Sequence, residues 1–477
     1  MTTVLAIDQG TSGTKAMVVD GSDRVLGVAE LPVRPRYLPG GGVEQDPREL
    51  LDSVLESGRR AVREAGAPID CVTLANQGET VLAWDPASGE PLTPAIVWQD
   101  RRSAQICAER AEWAEPVRHR TGLVLDPYFS APKMRWIRDR LTRDGVVTTS
   151  DSWLLHRLTG EFVTDAATAS RSLITDLDTG AWSPDLLAVF GLTDEALPRI
   201  AACDEIVGET TAFGAPAPVG GLVVDQQAAL LAQRCLTPGS AKCTFGTGAF
   251  LLANMGTEPV RSGTGLASSV AWRARGETSY CLDGQVPTAA SAVRWIQDLG
   301  LVDGAPELDR VAAPDAAGVL CVPALAGLSA PWWAPEATAA FTGMTLSTSS
   351  GHLVRAVLDG IAAQVAELAD CTARDTGIAL STLRVDGGLT RSRVLMQAVA
   401  DLLQARVEVY PSEHATALGA VAFARSAVDP ALPPADAIVD WTPATGYTPR
   451  IGADEAAAFR ARWTAAVENS AIGKEKQ

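Results

Sequence analysis

Two stretches far apart in the chain carry one design. The first reads Val4-Leu5-Ala6-Ile7, then Asp8-Gln9-Gly10-Thr11-Ser12-Gly13-Thr14-Lys15, then Ala16-Met17-Val18-Val19. The second reads Lys242-Cys243-Thr244-Phe245, then Gly246-Thr247-Gly248, then Ala249-Phe250-Leu251-Leu252. Each is a strand, a glycine–threonine turn and a returning strand. Glycines in such a bend let backbone N–H groups converge on one point, which suits an anion such as phosphate. Thr11, Ser12 and Thr14 add hydroxyl donors and Lys15 adds a charge. The carboxylate of Asp8 fits this cradle only if a metal ion lies between it and the anion. Taken alone, the first stretch is explained equally well as an ordinary hairpin rich in turn residues. Its recurrence past mid-chain is the constraint: it calls for two related α/β domains facing each other.

At 477 residues the chain exceeds what one hydrophobic core usually serves, which agrees with two domains. A formal net charge of −17 argues against DNA or RNA as a partner, because a phosphate backbone needs a basic face. No run approaches the roughly 18 uninterrupted apolar residues of a membrane span. The eight cysteines are scattered singly and there are four histidines, so neither a disulfide framework nor a zinc site is expected. The N-terminus lacks a signal-peptide pattern, and a reduced cytoplasm is the simplest compartment.

Between and after the two copies, apolar runs end in polar clusters. Ile69 to Ala75 delivers Asn76-Gln77-Gly78-Glu79, and Ala95-Ile96-Val97 delivers Trp98-Gln99-Asp100-Arg101-Arg102. Val223-Val224 delivers Asp225-Gln226-Gln227 and an alanine-rich helix, and Leu383-Arg384-Val385 delivers Asp386-Gly387-Gly388. In α/β proteins such strand ends are where ligands bind. Asp46-Pro47 opens a helix striped by Leu50, Leu51, Val54 and Leu55. Thr164 to Ser172 is small and polar and is expected to line a surface or cleft. Ser470 to Gln477 is expected to be a frayed tail.

With these motifs assembled, the chain resembles the FGGY carbohydrate kinases, and among them the glycerol kinase branch. The resemblance covers roughly residues 3 to 465. It rests on IDQGT at 7–11, IVWQDRR at 96–102, DPYFS at 126–130, DQQAAL at 225–230, FGTG at 245–248 and DGG at 386–388. It implies two ribonuclease-H-like domains of the actin-like ATPase type, closing on a cleft. Residues 1–238 would form the domain with the polyol and the base, residues 239–465 the nucleotide domain, and 466–477 a flexible tail. The implied activity is ATP-dependent phosphorylation of a terminal hydroxyl of glycerol or a related polyol. A homodimer or homotetramer is implied as well.

Residue by residue, the resemblance makes Asp225 the general base, although an aspartate there also fits a plain helix cap. It places the acceptor against Gly78, Glu79, Trp98, Tyr128, Asp225, Gln226 and Phe250. It places ATP against Thr11, Ser12, Gly13, Lys15, Gly246, Thr247, Ala290, Arg294, Gly388 and Ser392, with Mg²⁺ held by Asp8 through water. Lys15 stands where glycerol kinases carry arginine, and Ala290 and Arg294 stand where they carry glycine and glutamine. Gly78 is the departure with consequences, because the branch has arginine there and uses it on acceptor hydroxyls. Either another donor fills that gap, or the pocket is longer and admits a four- or five-carbon alditol or a ketopentose. A non-kinase actin-like ATPase or sensor is the remaining reading.

Overall fold

The computed structural model describes residues 2–472. Strands β1 (Val4–Gln9), β2 (Gly13–Val19) and β3 (Val25–Pro32) form an antiparallel meander, with Asp8 opposite Lys15 in register. After helix α1 (Pro47–Ala65), strand β4 (Cys71–Asn76) runs parallel to β1 and sets Gln9 beside Asn76. Strands β5 (Ile206–Thr210), β6 (Ala217–Gly220) and β7 (Val223–Val224) complete the sheet in the order β5-β6-β4-β1-β2-β3, with β7 also on β4.

The second sheet repeats this plan. Strands β8 (Ala241–Phe245), β9 (Ala249–Gly256), β10 (Ala267–Ala274) and β11 (Glu277–Val286) are antiparallel neighbours. Strand β12 (Thr382–Asp386) then lies parallel to β8, followed by β13 (Arg406–Val409) and β14 (Thr445–Tyr447), in the order β10-β11-β9-β8-β12-β13-β14. In both sheets a run of antiparallel strands, three in the first and four in the second, precedes a parallel one laid against the first. The duplication read from the two glycine turns is therefore a duplication of topology. The protein is a two-domain α/β chain of the actin-like, ribonuclease-H-like class.

Alternation along β1 and β2 sends Leu5, Ile7, Ala16 and Val18 to one face and Val4, Ala6, Met17 and Val19 to the other. Helix α1 covers the first face with Leu50, Val54 and Ala61. Asp46 caps it by accepting from the Arg48 N–H at 2.9 Å, as the Asp-Pro start predicts. The second face is covered by helix α8 (Ala415–Val428) through Ala417, Val421 and Ala424. Both faces are buried, which is why the runs are apolar throughout. Helix α8 belongs to the part of the chain assigned to the nucleotide domain, so the boundary at 238 does not separate two independent cores. The small residues of α8 lie against helix α4 (Asp225–Ala232). A Cβ on Gly419 would sit 1.9 Å from the Ala228 carbonyl oxygen.

Two further expectations are corrected. Thr164 to Ser172 lines no outer surface, because every residue in it is buried around helix α3 (Ala166–Ser170), although its Arg171 does reach the cleft. The chain after 465 is not all tail, since helix α9 (Ala453–Ile472) runs on with Val467 fully buried. Residues 473–477 lie outside the described residues. In α9 the Trp463 indole N–H donates to the Cys321 carbonyl at 2.8 Å, which fixes the helix to the second core.

Candidate active site

Register brings the polar strand ends to one edge. Asp8 lies beside Ala75, and Val223 and Val224 lie beside Ala75 and Asn76. The ends of β1, β4 and β7 therefore present Asp8, the 76–79 segment and Asp225 together. On the facing sheet Thr244 lies beside Asp386. Gly387, at φ 97°, permits the chain to turn there, and a Cβ on it would meet the Phe245 carbonyl at 2.4 Å.

Between the sheets lies a pocket of about 200 Å³. One domain lines it with Thr11, Ser12, Gly78, Glu79, Trp98, Tyr128, Asp225 and Gln226, and the other with Thr247 and Phe250. Trp98 is the central wall. Its ring meets Tyr128 edge-on at 5.6 Å and Phe250, across the cleft, at 6.1 Å. Its indole N–H donates to the Thr11 hydroxyl oxygen at 2.8 Å, which leaves the Thr11 proton free to donate elsewhere. Glu79 holds its carboxylate from a left-handed backbone at φ 56°, a strained conformation of the kind that clusters at functional sites.

Asp225 opens α4 without capping it in the usual way. Its Oδ1 accepts from the adjacent Gln226 N–H at 2.7 Å, and no side-chain bond reaches the next turn. Burial pushes its carboxyl above the usual range, while the nearby Lys242 ammonium pulls it back. Lys242 donates to Gln226 Oε1 at 2.5 Å and to Thr244 Oγ1 at 2.8 Å. With its oxygen engaged, Gln226 has its amide N–H groups free for the cleft. Asp8 is pushed up to about 7, by burial and then by the charge of Asp225, with Lys15 opposing. A cation beside these two carboxylates would relieve that repulsion, so the donor set fits a divalent ion.

The sequence pattern of the FGGY family of carbohydrate kinases, N-terminal domain, matches residues 3–232, and that of its C-terminal domain matches residues 241–428. The chain belongs to the FGGY family of carbohydrate kinases. It is 43% identical to a glycerol kinase of Alkalilimnicola ehrlichii and 41% identical to one of Thermus brockianus, each over 98% of both chains. A crystal structure of Plasmodium falciparum glycerol kinase with ADP superposes with a TM-score of 0.89 at 30% identity, covering 98% of each chain. A xylulose kinase of Lactobacillus acidophilus, at 19% identity and a TM-score of 0.88, shares the fold. As an FGGY kinase, the protein is an ATP-dependent phosphotransferase acting on an alcohol group.

Not every expected residue of this FGGY kinase meets the pocket. Gly13 starts β2 behind the turn, and Lys15 points to Glu30 at 3.4 Å. Gly246 is tied to helix α5 (Ala290–Asp298), its carbonyl accepting from the Ala290 N–H at 3.0 Å, so Ala290 borders the second glycine turn. Arg294, one turn along α5, is exposed. Gly388 is exposed, and a Cβ there would meet nothing within 4 Å. Ser392 is otherwise committed: its hydroxyl donates to Asp309 at 2.8 Å and caps helix α7 (Arg393–Leu403) at the Leu395 N–H.

The gap expected beside Gly78 is filled. A Cβ on Gly78 would lie 3.1 Å from Val224 and 3.9 Å from Cδ and Nε of Arg171. Arg171, at the C-terminal end of α3, is 5% exposed and pairs with Glu79 and with Asp283 of β11. Of the two alternatives stated for Gly78, this arrangement favours another donor in the gap over a longer pocket. Lone charges in otherwise small or apolar segments were the available signal, for Arg171 within 166–174 and for Lys242 within β8.

Proposed function

We propose that this FGGY kinase transfers the γ-phosphoryl group of ATP to a terminal hydroxyl of glycerol, with Asp225 as general base. The observation that carries the reading is the pocket itself. A carboxylate at a strand end, two aromatic walls and hydroxyl-pairing groups converge in about 200 Å³, between two glycine turns. Trp98 and Phe250 enclose the carbon chain of the acceptor, and Glu79, Tyr128 and Gln226 pair with its hydroxyls. Each buried hydroxyl left unpaired would cost about 1–3 kcal/mol. The full length identity to glycerol kinases supports this acceptor over a ketopentose.

Asp225 accepts the proton of the attacking hydroxyl as its oxygen moves onto the γ-phosphorus in line. Thr11, whose oxygen is occupied by Trp98, donates its proton toward the phosphates, with Ser12 and Gly13 beside it and Gly246 and Thr247 on the facing turn. Asp8 would hold Mg²⁺, which when bound would neutralise charge on the phosphates. Closure of residues 1–238 on 239–465 excludes water, which would otherwise take the phosphoryl group. The eight cysteines, all free and buried, support a reducing, cytoplasmic location, and assembly as a dimer or tetramer is part of the same reading.

The test is ADP release with ATP and Mg²⁺ against glycerol, erythritol, xylitol and xylulose. Glycerol is expected to have the highest kcat/KM, and Asp225→Asn is expected to lose about 10²- to 10⁴-fold in kcat. A preference for xylulose, or full activity in Asp225→Asn, would refute the reading.

A further inference from the structure

Behind the pocket lies a second chamber of about 30 Å³ that shares Glu79, Tyr128, Asp225, Gln226 and Phe250 with it. That is room for a single hydroxyl-sized group. Its inner wall includes Arg171, Asp283 and Gln227. Gln227 is 1% exposed, and among the described residues neither polar atom of its side chain has a hydrogen-bond partner. The chamber is therefore polar, buried and short of partners.

Arg171 governs its shape. Its Nε donates to Glu79, Nη1 to Asp283 and Ser269, and Nη2 to the Tyr128 hydroxyl at 3.4 Å. The guanidinium has five N–H donors, so one on Nη2 remains. A Cβ on Gly78 would stand at ordinary contact distance, 3.9 Å, from Cδ and Nε of Arg171, so a long side chain at 78 would compete for this space. Glu79 belongs to the first domain and Asp283 to β11 of the second, so the guanidinium bridges the two domains.

We propose that Arg171 is the residue that sets acceptor length, closing the inner end of the pocket in the space that Gly78 leaves open and tying that closed end to domain apposition. The proposal rests on the reading of the pocket as a small-polyol site. Arg171 limits the inner end to one hydroxyl, and its remaining N–H is available to that hydroxyl.

The experiment compares kcat/KM for glycerol and erythritol in wild type, Arg171→Ala, Arg171→Lys and the double variant Gly78→Arg/Arg171→Ala. Absence of transfer to either polyol by wild type would refute the underlying reading. Given wild-type activity, Arg171→Ala is expected to lose roughly 10- to 100-fold in kcat/KM for glycerol, mostly through KM. The KM for ATP is expected to stay within about threefold, and the erythritol-to-glycerol ratio to rise about tenfold or more. The double variant returns a guanidinium to the same space from the segment that follows β4 and is expected to bring the ratio back toward wild type. Should Arg171→Ala not fold, Arg171→Lys keeps the charge but not the fork, and the same rise in the ratio is expected. A ratio within about twofold of wild type in whichever of these two variants folds would overturn the proposal. So would a double variant with the altered ratio of Arg171→Ala.

Discussion

Asp225 sits in a balance between burial, which raises its pKa, and the Lys242 ammonium, which lowers it. A base must be ionised to act, so kcat is expected to fall on acidification with a midpoint above the ordinary carboxylate range. Lys242→Met removes the opposing charge and is expected to move that acid limb to still higher pH, read from the pH profile of kcat. The same balance has a thermodynamic side. A carboxyl raised on folding weakens the protein as pH rises from its unfolded pKa, about 4, through its folded value. Asp225→Asn has no such charge, so without ligands it is expected to melt higher than wild type at pH 8 and equally at pH 3. Equal melting at both pH values would show that Asp225 is not desolvated.

Helix α4 carries both Asp225 and Gln226, and its position depends on how closely α8 approaches. Gly419 allows that approach, since a Cβ there would meet the Ala228 carbonyl at 1.9 Å. Gly419→Ala is expected to cost about 1–3 kcal/mol in denaturant unfolding and to lower kcat by displacing the base. The loop carrying Tyr128 has a comparable brace in helix α2 (Ser130–Arg140). The fully buried Lys133 ammonium donates to the carbonyls of Pro127 (at 2.9 Å), Tyr128 and Phe129. Burial lowers its pKa to about 8. Lys133→Met leaves three carbonyls without their donor. It is expected to raise the KM for the acceptor while leaving the KM for ATP nearly unchanged, as steady-state kinetics would show.

Across the whole molecule the pocket is a joint product of two domains. Thr11, Trp98 and Asp225 come from one and Thr247 and Phe250 from the other. On the proposal that the domains close over the ligands, whichever ligand first draws them together meets the cost of closure, so the second binds a protein already closed. Glycerol and a non-hydrolysable ATP analogue together are expected to raise Tm by more than the sum of their separate shifts. Strictly additive shifts would show that the domains close independently of both ligands.

Local patterning was sufficient for much of this. The meander of residues 4–32, the Asp-Pro start of α1 and the recurrence of the glycine turn are written in periods of two and in turn residues, which act over a few neighbours. The strand-end clusters at 76–79, 98–102 and 225–227 could be found for the same reason, because a buried run that stops at polar residues marks an edge. What the residues could not disclose is what comes to lie beside them. Gly78 reads as a missing side chain, and only the packed chain puts Arg171, 93 positions later, into that space. The resemblance places Ser392 against the nucleotide, and only the packed chain shows Asp309 and α7 engaging its hydroxyl. Helix α8 reads as part of the second domain, yet it covers the first sheet. Sequence thus determined which elements form and which ends carry chemistry. The tertiary structure decided which side chains share a volume, because exclusion of one atom by another acts only between parts of the chain that folding has brought together.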